Sequence, residues 1–283
     1  MPALLDIQRT DFVSDGSTPQ EVRHHLTEHP LLSVEEVARL ADRLPHDKVE
    51  HNVAKGTGNV VPGGAAPVLD QSPGDVARGI ETNGCWMVLK NIETDPQYAK
   101  LLNDALDEVA PMLPGGAEAM LHRQGFLFLS APGSVTPSHV DPEHNFLLQI
   151  RGRKTMHVGS FADAKSEQLE LERSYGVGHR NMEYVPEDMT PYVLDPGDGV
   201  YVPVSAPHWV QNGDTVSVSL SITWGSQDAL RSERVHAFND RLRRRGLSPK
   251  GPGANAKVDS VKAQATRVLR KVEHIVEQRR ARA

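Results

Sequence analysis

A histidine and an aspartate two residues apart, His139 and Asp141, stand in the stretch GSVTPSHVDPEHNFLLQIRGRK, from Gly133 to Lys154. The segment otherwise reads as a strand pair, and side chains at i and i+2 of a strand point to the same face. An imidazole and a carboxylate so placed converge on one point. Two ligands do not make a metal site. A third stands downstream, where Asp195-Pro-Gly-Asp198 makes a tight turn, Val200-Tyr-Val-Pro203 reads as a strand, and Ala206-Pro-His208-Trp209 follows. Asn212-Gly213 is the turn signal of the next hairpin. Two neutral imidazoles and one carboxylate hold Fe(II) on one face of an octahedron and leave three positions for a co-substrate and O₂. His139, Asp141 and His208 supply that set. In a chain with 13 histidines a chance His-x-Asp is cheap, and it is the strand setting of His208 that lifts the trio above chance. His144 and His157 lie off the pattern and read as structural or surface residues. Glu143 reads as solvated and Cys85 as a buried core thiol.

The elements that position these residues follow from pattern. Ser33-Val-Glu-Glu36 is a capping box opening a helix with Val37, Leu40, Ala41 and Leu44 on one face, ended by Pro45. Gly56 to Gly74 is rich in Gly and Pro and predicts a long loop, either a lid over a site or a tolerated surface segment. Trp86–Leu89 reads as a buried strand, and Asp95-Pro96 opens a helix carrying Tyr98, Leu101, Leu102, Ala105, Leu106 and Val109. Short apolar or alternating runs then recur at 126–129, 145–150, 155–158, 192–194, 200–202 and 216–224, separated by Gly, Pro and Asp. That spacing predicts a β-sandwich or barrel. Residues 160–190 are polar, contain Gly176 and Gly178, and read as an insertion. In Val216–Trp224 hydroxyl and apolar residues alternate, so Ser217, Ser219, Ser221 and Thr223 either line the interior or form an exposed face.

Beyond Trp224 the chain turns helical. Ala229–Arg245 is one helix, broken by Gly246, Pro249, Gly251, Pro252 and Gly253. Val258, Val261, Ala265, Val268, Leu269, Val272, Ile275 and Val276 then form one apolar stripe on a charged helix. The stripe must bury against the barrel or against the same helix of a second subunit. From Asp228 onward, 15 Lys and Arg face 6 Asp and Glu, whereas the whole chain of 283 residues has a net charge of −6. A basic tail on an acidic body raises nucleic-acid binding, but no aromatic residues interleave with the arginines to stack on bases, so a solvated helix is the plainer reading. No apolar run approaches the roughly 20 residues that span a bilayer. The start of the chain lacks the pattern of a secretory signal, and Cys85 is the sole cysteine, which excludes an intramolecular disulfide and a thiolate metal cluster. A cytoplasmic protein is expected.

The spacing Gly133-x5-His139-x-Asp141-x3-Asn145-x6-Gly152 resembles the first cupin motif, and Gly197-x5-Pro203-x4-His208-x3-Asn212 resembles the second. Asn145 stands where many cupins have a glutamate ligand, Asp141 where they have a second histidine, and Ser205 where the second motif has glycine. Those departures point toward the 2-oxoglutarate oxygenases of the same fold. Thr136, Pro137, His139, Asp141, Asn145, Phe146, Gln149, Ile150, Gly152 and Lys154 match the pattern of JmjC-type hydroxylases, the asparaginyl hydroxylase of the hypoxia response among them. Pro207 departs from it, since an aromatic often precedes the distal histidine, and no upstream tyrosine matches the family's co-substrate tyrosine. The resemblance implies that Lys154 forms a salt bridge to the distal carboxylate of 2-oxoglutarate, with Thr136 and Asn145 helping to hold it.

A mainly β fold with helical extensions is therefore expected, a double-stranded β-helix of the cupin/JmjC jelly-roll kind. Residues 1–84 would form an N-terminal helical and loop region, 85–227 the catalytic core, and 228–283 C-terminal helices that could dimerise. The resemblance implies an Fe(II)- and 2-oxoglutarate-dependent dioxygenase that uses O₂ to hydroxylate an unactivated C–H bond of an amino-acid side chain in a protein or peptide. A free amino acid or small metabolite stays open as substrate. So does a non-catalytic cupin-fold metal-binding or sensing protein. Asp141 keeps the carboxylate ligand in place, which favours hydroxylation over halogenation. The expected partners are thus a protein, peptide or small molecule, with no membrane and no nucleic acid.

Overall fold

The computed structural model of the chain describes residues 3–7, 17–53, 71–176 and 181–280. Most of the Gly- and Pro-rich loop expected at 56–74, and Gly178, lie outside the described residues. The strands run in chain order as β1 (Leu5–Asp6), β2 (Gln20–His24), β3 (Val49–Val53), β4 (Cys85–Lys90), β5 (Leu121–Ser130) and β6 (Val135–His139). They continue as β7 (His144–Arg151), β8 (Lys154–Gly159), β9 (Met189–Leu194), β10 (Asp198–Val202), β11 (His208–Asn212) and β12 (Ser217–Gly225). The helices are α1 (Val34–Arg43), α2 (Pro73–Arg78), α3 (Ile80–Asn83), α4 (Pro96–Val109), α5 (Ala164–Tyr175), α6 (Gln227–Arg243) and α7 (Ala256–Arg280).

The strands form two antiparallel sheets, a large one ordered β1-β2-β10-β7-β12-β5-β4-β3 and a small one ordered β6-β11-β8-β9. Their facing surfaces enclose the interior of a double-stranded β-helix. The expectation of helix and loop before residue 85 is incomplete: β1, β2 and β3 extend the large sheet at both ends. Their composition hid them. β1 is two residues long, and β2 and β3 (QEVRH, VEHNV) mix charge with single apolar residues.

The outer face of the large sheet builds the main core. Val218, Leu220, Ile222 and Trp224 of β12 pack there with Phe146, Leu148 and Ile150 of β7. Above them lies α4, whose Tyr98, Leu101, Leu102, Ala105, Leu106 and Val109 are all buried. That spacing is one helical stripe, and each of its leucines, with Val109, contributes roughly 1.5–3 kcal/mol on burial. Asp95 caps α4 by accepting from the Gln97 amide, and Ser33 caps α1 by accepting from Glu36.

The inner face of β12 carries Ser217, Ser219, Ser221 and Thr223, all buried. The hydroxyls are therefore interior rather than an exposed face. A polar ladder satisfies them: Ser221 Oγ donates to Asn145 Oδ1 at 2.6 Å, Ser219 Oγ donates to Gln149 Oε1 at 2.7 Å, and Gln149 Nε2 donates to Ser217 Oγ at 3.0 Å. A second apolar cluster of Leu147, Met156, Val158, Leu194, Val200, Val202 and Val210 lines the interior beside it.

The segment after β8, polar in sequence, holds α5. Asp163 caps it by accepting from the Lys165 and Ser166 amides. α5, α6 and α7 form one unit around Glu172, which is almost fully buried and accepts from Gln168, Asn239 and Arg243. Lys262 of α7 donates to Asn239 Oδ1 at 2.7 Å, and Thr266 donates to the Arg234 carbonyl at 2.8 Å. So α7 turns its polar side to α6. The apolar stripe, about 130° away around the helix, faces outward, with Val261 69%, Val268 53% and Val272 53% exposed. No helix among the described residues is long and apolar enough to cross a membrane.

Gly152, in the turn between β7 and β8, has φ +72°, and a Cβ there would lie 2.3 Å from the Val216 carbonyl oxygen. Both facts demand glycine. Gly152→Ala is expected to destabilise the fold by about 2–4 kcal/mol in urea denaturation, and a loss below about 0.5 kcal/mol would contradict this account of the turn.

Candidate metal centre

β6 is the edge strand of the small sheet, and its pairing with β11 places His139 directly opposite His208. Farther along, Thr136 pairs with Val210, so a bulge sets Pro137 and Ser138 against the single residue Trp209. Without that extra residue Thr136 and His139, three apart, would face opposite sides. With it, both share the interior face with His208 and Val210.

The two imidazole centroids lie 4.1 Å apart. The Asp141 Oδ2 atom is 3.7 Å from His139 Nε2 and 3.5 Å from His208 Nε2, and the three ligand atoms all lie within 4.8 Å of one another. Two donors about 2.1 Å from a common ion and at a right angle sit roughly 3 Å apart, so the arrangement fits an octahedral face with a small inward movement. His139 Nδ1 donates to the Pro137 carbonyl at 2.8 Å, and His208 Nδ1 donates to the Ala206 carbonyl at 2.9 Å. A carbonyl only accepts, so Nε2 of each ring is left with its lone pair, the tautomer a metal requires.

Asp141 itself is not on the strand. β6 ends at His139, and Val140 and Asp141 form the turn before β7. The i, i+2 argument from strand geometry therefore gives the right convergence for an incomplete reason. Val140 is buried among Leu171, Tyr175, Met182 and Ala237, and the Ser205 amide donates to the Asp141 carbonyl at 2.8 Å. Those two contacts bend the chain so that the carboxylate returns to the histidines.

Lys154 opens β8, opposite Asn212 of β11 and Leu194 of β9, on the same face as Met156, Val158 and the histidines. It is four residues of strand, roughly 13 Å, from the row of His208. The side chain is 3% exposed, and no described residue offers it an ion pair or hydrogen bond. Desolvation pulls its pKa down to about 7. Asn145 is also buried, and no described residue accepts from its amide nitrogen, its oxygen being taken by Ser221. Thr136 shares the interior face and makes no hydrogen bond through its hydroxyl to a described residue. The interior thus holds a cation and two further donors without protein acceptors. Such a cradle suits an acidic small molecule.

The remaining candidates fall elsewhere. His144 stacks on Trp224 and bonds the Tyr201 hydroxyl at 2.7 Å, and burial lowers its pKa to about 4, as fits a neutral structural residue. His157 stacks on Trp209 on the outside of the small sheet. Cys85 is buried in the main core, as are Tyr98 and Tyr201, so neither tyrosine reaches the interior cradle. Glu143 is half-buried. Among the described tyrosines, Tyr192 packs against the interior cluster; its place on β9, opposite Met156, had no signal in its own short motif. Tyr175 escaped the sequence reading too, and the serine at the motif's glycine position was its one sign.

Residues 117–230, which span these strands, match the model of the JmjC domain. Over that stretch the chain is similar to the JmjC domain. Lysine-specific demethylase 8 of Xenopus tropicalis is 30% identical over an alignment of 102 residues that covers 32% of this chain and 23% of that protein. The chain thus spans about a quarter of the length of the curated relatives it matches. Among solved structures, the Escherichia coli ribosomal oxygenase YcfD is 18% identical with a TM-score of 0.55, over 95% of this chain and 68% of that one. The same protein in complex with cobalt and 2-oxoglutarate gives 17% identity and a TM-score of 0.51, over 89% and 63%. At these identities the likeness is one of fold, and it extends past the JmjC domain to the helical extensions.

A carboxylate bound against Lys154 raises the lysine's pKa again. Binding therefore takes up a proton between about pH 7 and the ordinary lysine range, and affinity falls as pH rises through that window. Calorimetry of 2-oxoglutarate binding at about pH 8.5 in buffers of different ionisation heat is expected to show uptake approaching one proton. Lys154→Met should abolish the uptake, and proton release by the wild type would refute the assignment.

Proposed function

We propose that this protein is an Fe(II)- and 2-oxoglutarate-dependent oxygenase that hydroxylates an amino-acid side chain of a protein or peptide. The observation that carries the reading is the pairing, on one interior face, of the His139–Asp141–His208 trio with an unclaimed buried lysine. An Fe(II) ion held by His139, Asp141 and His208 would supply the O₂ activation and the electrons for it. The side chains do the rest. His139 and His208 present Nε2, Asp141 supplies the negative charge, and Lys154 fixes the far carboxylate of the co-substrate. Asn145 donates from the wall, and Thr136 from the strand that bears His139. The apolar residues around them, Leu147, Val158, Val202 and Val210, keep water out. Asp141 occupies the carboxylate position, so a halide has no slot.

A protein substrate is supported by the likeness in fold to the Escherichia coli ribosomal oxygenase YcfD. The Fe(II)-loaded protein is expected to convert 2-oxoglutarate to succinate, and peptides or ribosomal proteins incubated with it to gain one oxygen by mass spectrometry. His139→Ala should abolish iron binding and at least a hundredfold of the turnover. Unchanged iron affinity in that variant, with no succinate from the wild type, would sink the reading and leave a non-catalytic protein of the same fold. Turnover with free amino acids alone would move the substrate class to small metabolites.

The α7 stripe supports a homodimer. Val258, Val261, Ala265, Val268, Val272 and Ile275 repeat at alternating spacings of three and four, the seam of a coiled coil. An antiparallel copy lays Val258 on Ile275, Val261 on Val272 and Ala265 on Val268. Each helix leaves on the order of 500 Å² of apolar surface bare, and doubling it reaches the roughly 1,000 Å² of a stable interface. Light scattering at about 50 µM is expected to give twice the chain mass, and Val261→Glu with Val272→Glu to give the monomer. A wild-type monomer at that concentration excludes the dimer.

A further inference from the structure

The insertion that carries α5 does more than decorate the barrel. Asn181 forms an antiparallel bridge with His139 on the free edge of β6, and the Met182 amide donates to the Ser138 carbonyl at 2.7 Å. Ser138 Oγ donates to Met182 Sδ at 3.4 Å, on the side of β6 away from the interior. Val140, between two of the proposed ligands, is buried among Leu171 and Tyr175 of α5, Met182, and Ala237 of α6. The metal-bearing turn is therefore gripped from outside by the helical unit.

One polar chain runs through that grip. Ser205 has φ +63°, a left-handed conformation that a serine adopts at a cost and a glycine adopts freely. Its amide donates to the Asp141 carbonyl at 2.8 Å, and its hydroxyl shares a hydrogen bond of 2.8 Å with the Tyr175 hydroxyl. Tyr175 ends α5, is 8% exposed, and its own carbonyl accepts from Arg270 of α7 at 3.2 Å. Three residues after Ser205 comes His208. The Ser205 turn is thus shared by two ligands, one through a hydrogen bond and one through the chain. A glycine would satisfy the backbone here without strain. The Ser205 side-chain hydroxyl links the turn to α5.

We propose that Tyr175 and Ser205 are positioning residues for the metal triad: the hydroxyl–hydroxyl bond between them holds the 203–208 turn, and with it the placement of Asp141 and His208. This rests on the reading of His139, Asp141 and His208 as metal ligands. Neither hydroxyl is among the donor atoms of the trio. Their effect passes through the Ser205 amide and the short run to His208, so it shows as a change in metal affinity and coordination geometry rather than as loss of the fold. Tyr175→Phe keeps the ring in its apolar cluster and removes only the link. Ser205→Gly removes the link and relieves the backbone.

Co(II) is the probe, titrated into the full chain by calorimetry and followed by its visible absorption. Both single variants are expected to bind Co(II) about tenfold more weakly than the wild type, with a shifted absorption band. Ser205→Gly should nonetheless keep or raise the thermal midpoint, a dissociation that a purely stabilising role does not produce. The double variant should be no worse than either single one, because the two side chains make one interaction. Wild-type affinity and an unshifted band in both variants, while His139→Ala abolishes binding, would overturn the inference and leave the metal reading standing. A wild type that takes up no Co(II) would bring down both.

Discussion

Two histidines on neighbouring antiparallel strands meet only while the register between those strands is held, and here the β6–β11 register carries a bulge that must also be held. β6 is an edge strand, the place in a sheet where pairing is most easily lost. The protein closes that edge from outside, with the Asn181 bridge and the Met182 amide on one side of β6 and β11 on the other. The bulge then decides which residues face inward. A shift of one residue would turn His139 and Thr136 to opposite faces. The interior donors and the proposed metal ligands thus depend on one local pairing, fixed from two sides.

The interior of the barrel is not a uniform core. Its apolar cluster occupies the small sheet and β10, while β12 and β7 contribute the ladder of Ser217, Ser219, Ser221, Asn145 and Gln149. Buried polar groups are tolerable only when satisfied, and the ladder is satisfied except at the Asn145 amide nitrogen. Lys154 is the larger exception. A buried ammonium without a counter-charge weakens the fold that contains it, and the lowered pKa is the measure of that conflict. A carboxylate bound against it would remove the conflict, so the binding energy for the proposed acidic co-substrate would be partly stored as an unsatisfied charge, and an apolar residue at this position would stabilise the chain and remove that store.

The sequence made legible what local pattern controls. The capped helices α1 and α4, the strands of the two cupin-like motifs and the stripe on α7 all have strong periodicity or caps, and they stand where pattern places them. The hydroxyl alternation of β12 was ambiguous because a serine face suits both water and a satisfied interior. Only the partners on β7 resolve it. α5 was invisible for a related reason. Its sequence AKSEQLELERSY buries Glu170 and Glu172 beside Leu171 and Tyr175, so its inward face is charged and has no apolar period to detect. The turn that carries Asp141 was read as strand because His-x-Asp has strand spacing, while the contacts that shape it come from residues far along the chain, between Leu171 and Ala237, with Tyr175 and Ser205 among them. Long-range contacts of that kind leave no local trace.

The two helical extensions meet the barrel in different ways, and the difference has a functional consequence. The N-terminal helices cover the large sheet with a continuous apolar core, the sort of contact that adds stability and little specificity. The C-terminal pair instead docks through α5 and a polar joint around Glu172, Asn239, Arg243 and Lys262. A fully bonded polar joint tolerates few alternative arrangements, since any slip leaves a buried charge unpaired. It therefore fixes the angle at which α5 presents Tyr175 to the Ser205 turn. The same unit carries the exposed stripe of α7 and the Arg270 contact to Tyr175. A partner bound to that stripe would bear on the helices that contact the Ser205 turn, so the exposed stripe and the proposed metal centre are joined by structure as well as by chain.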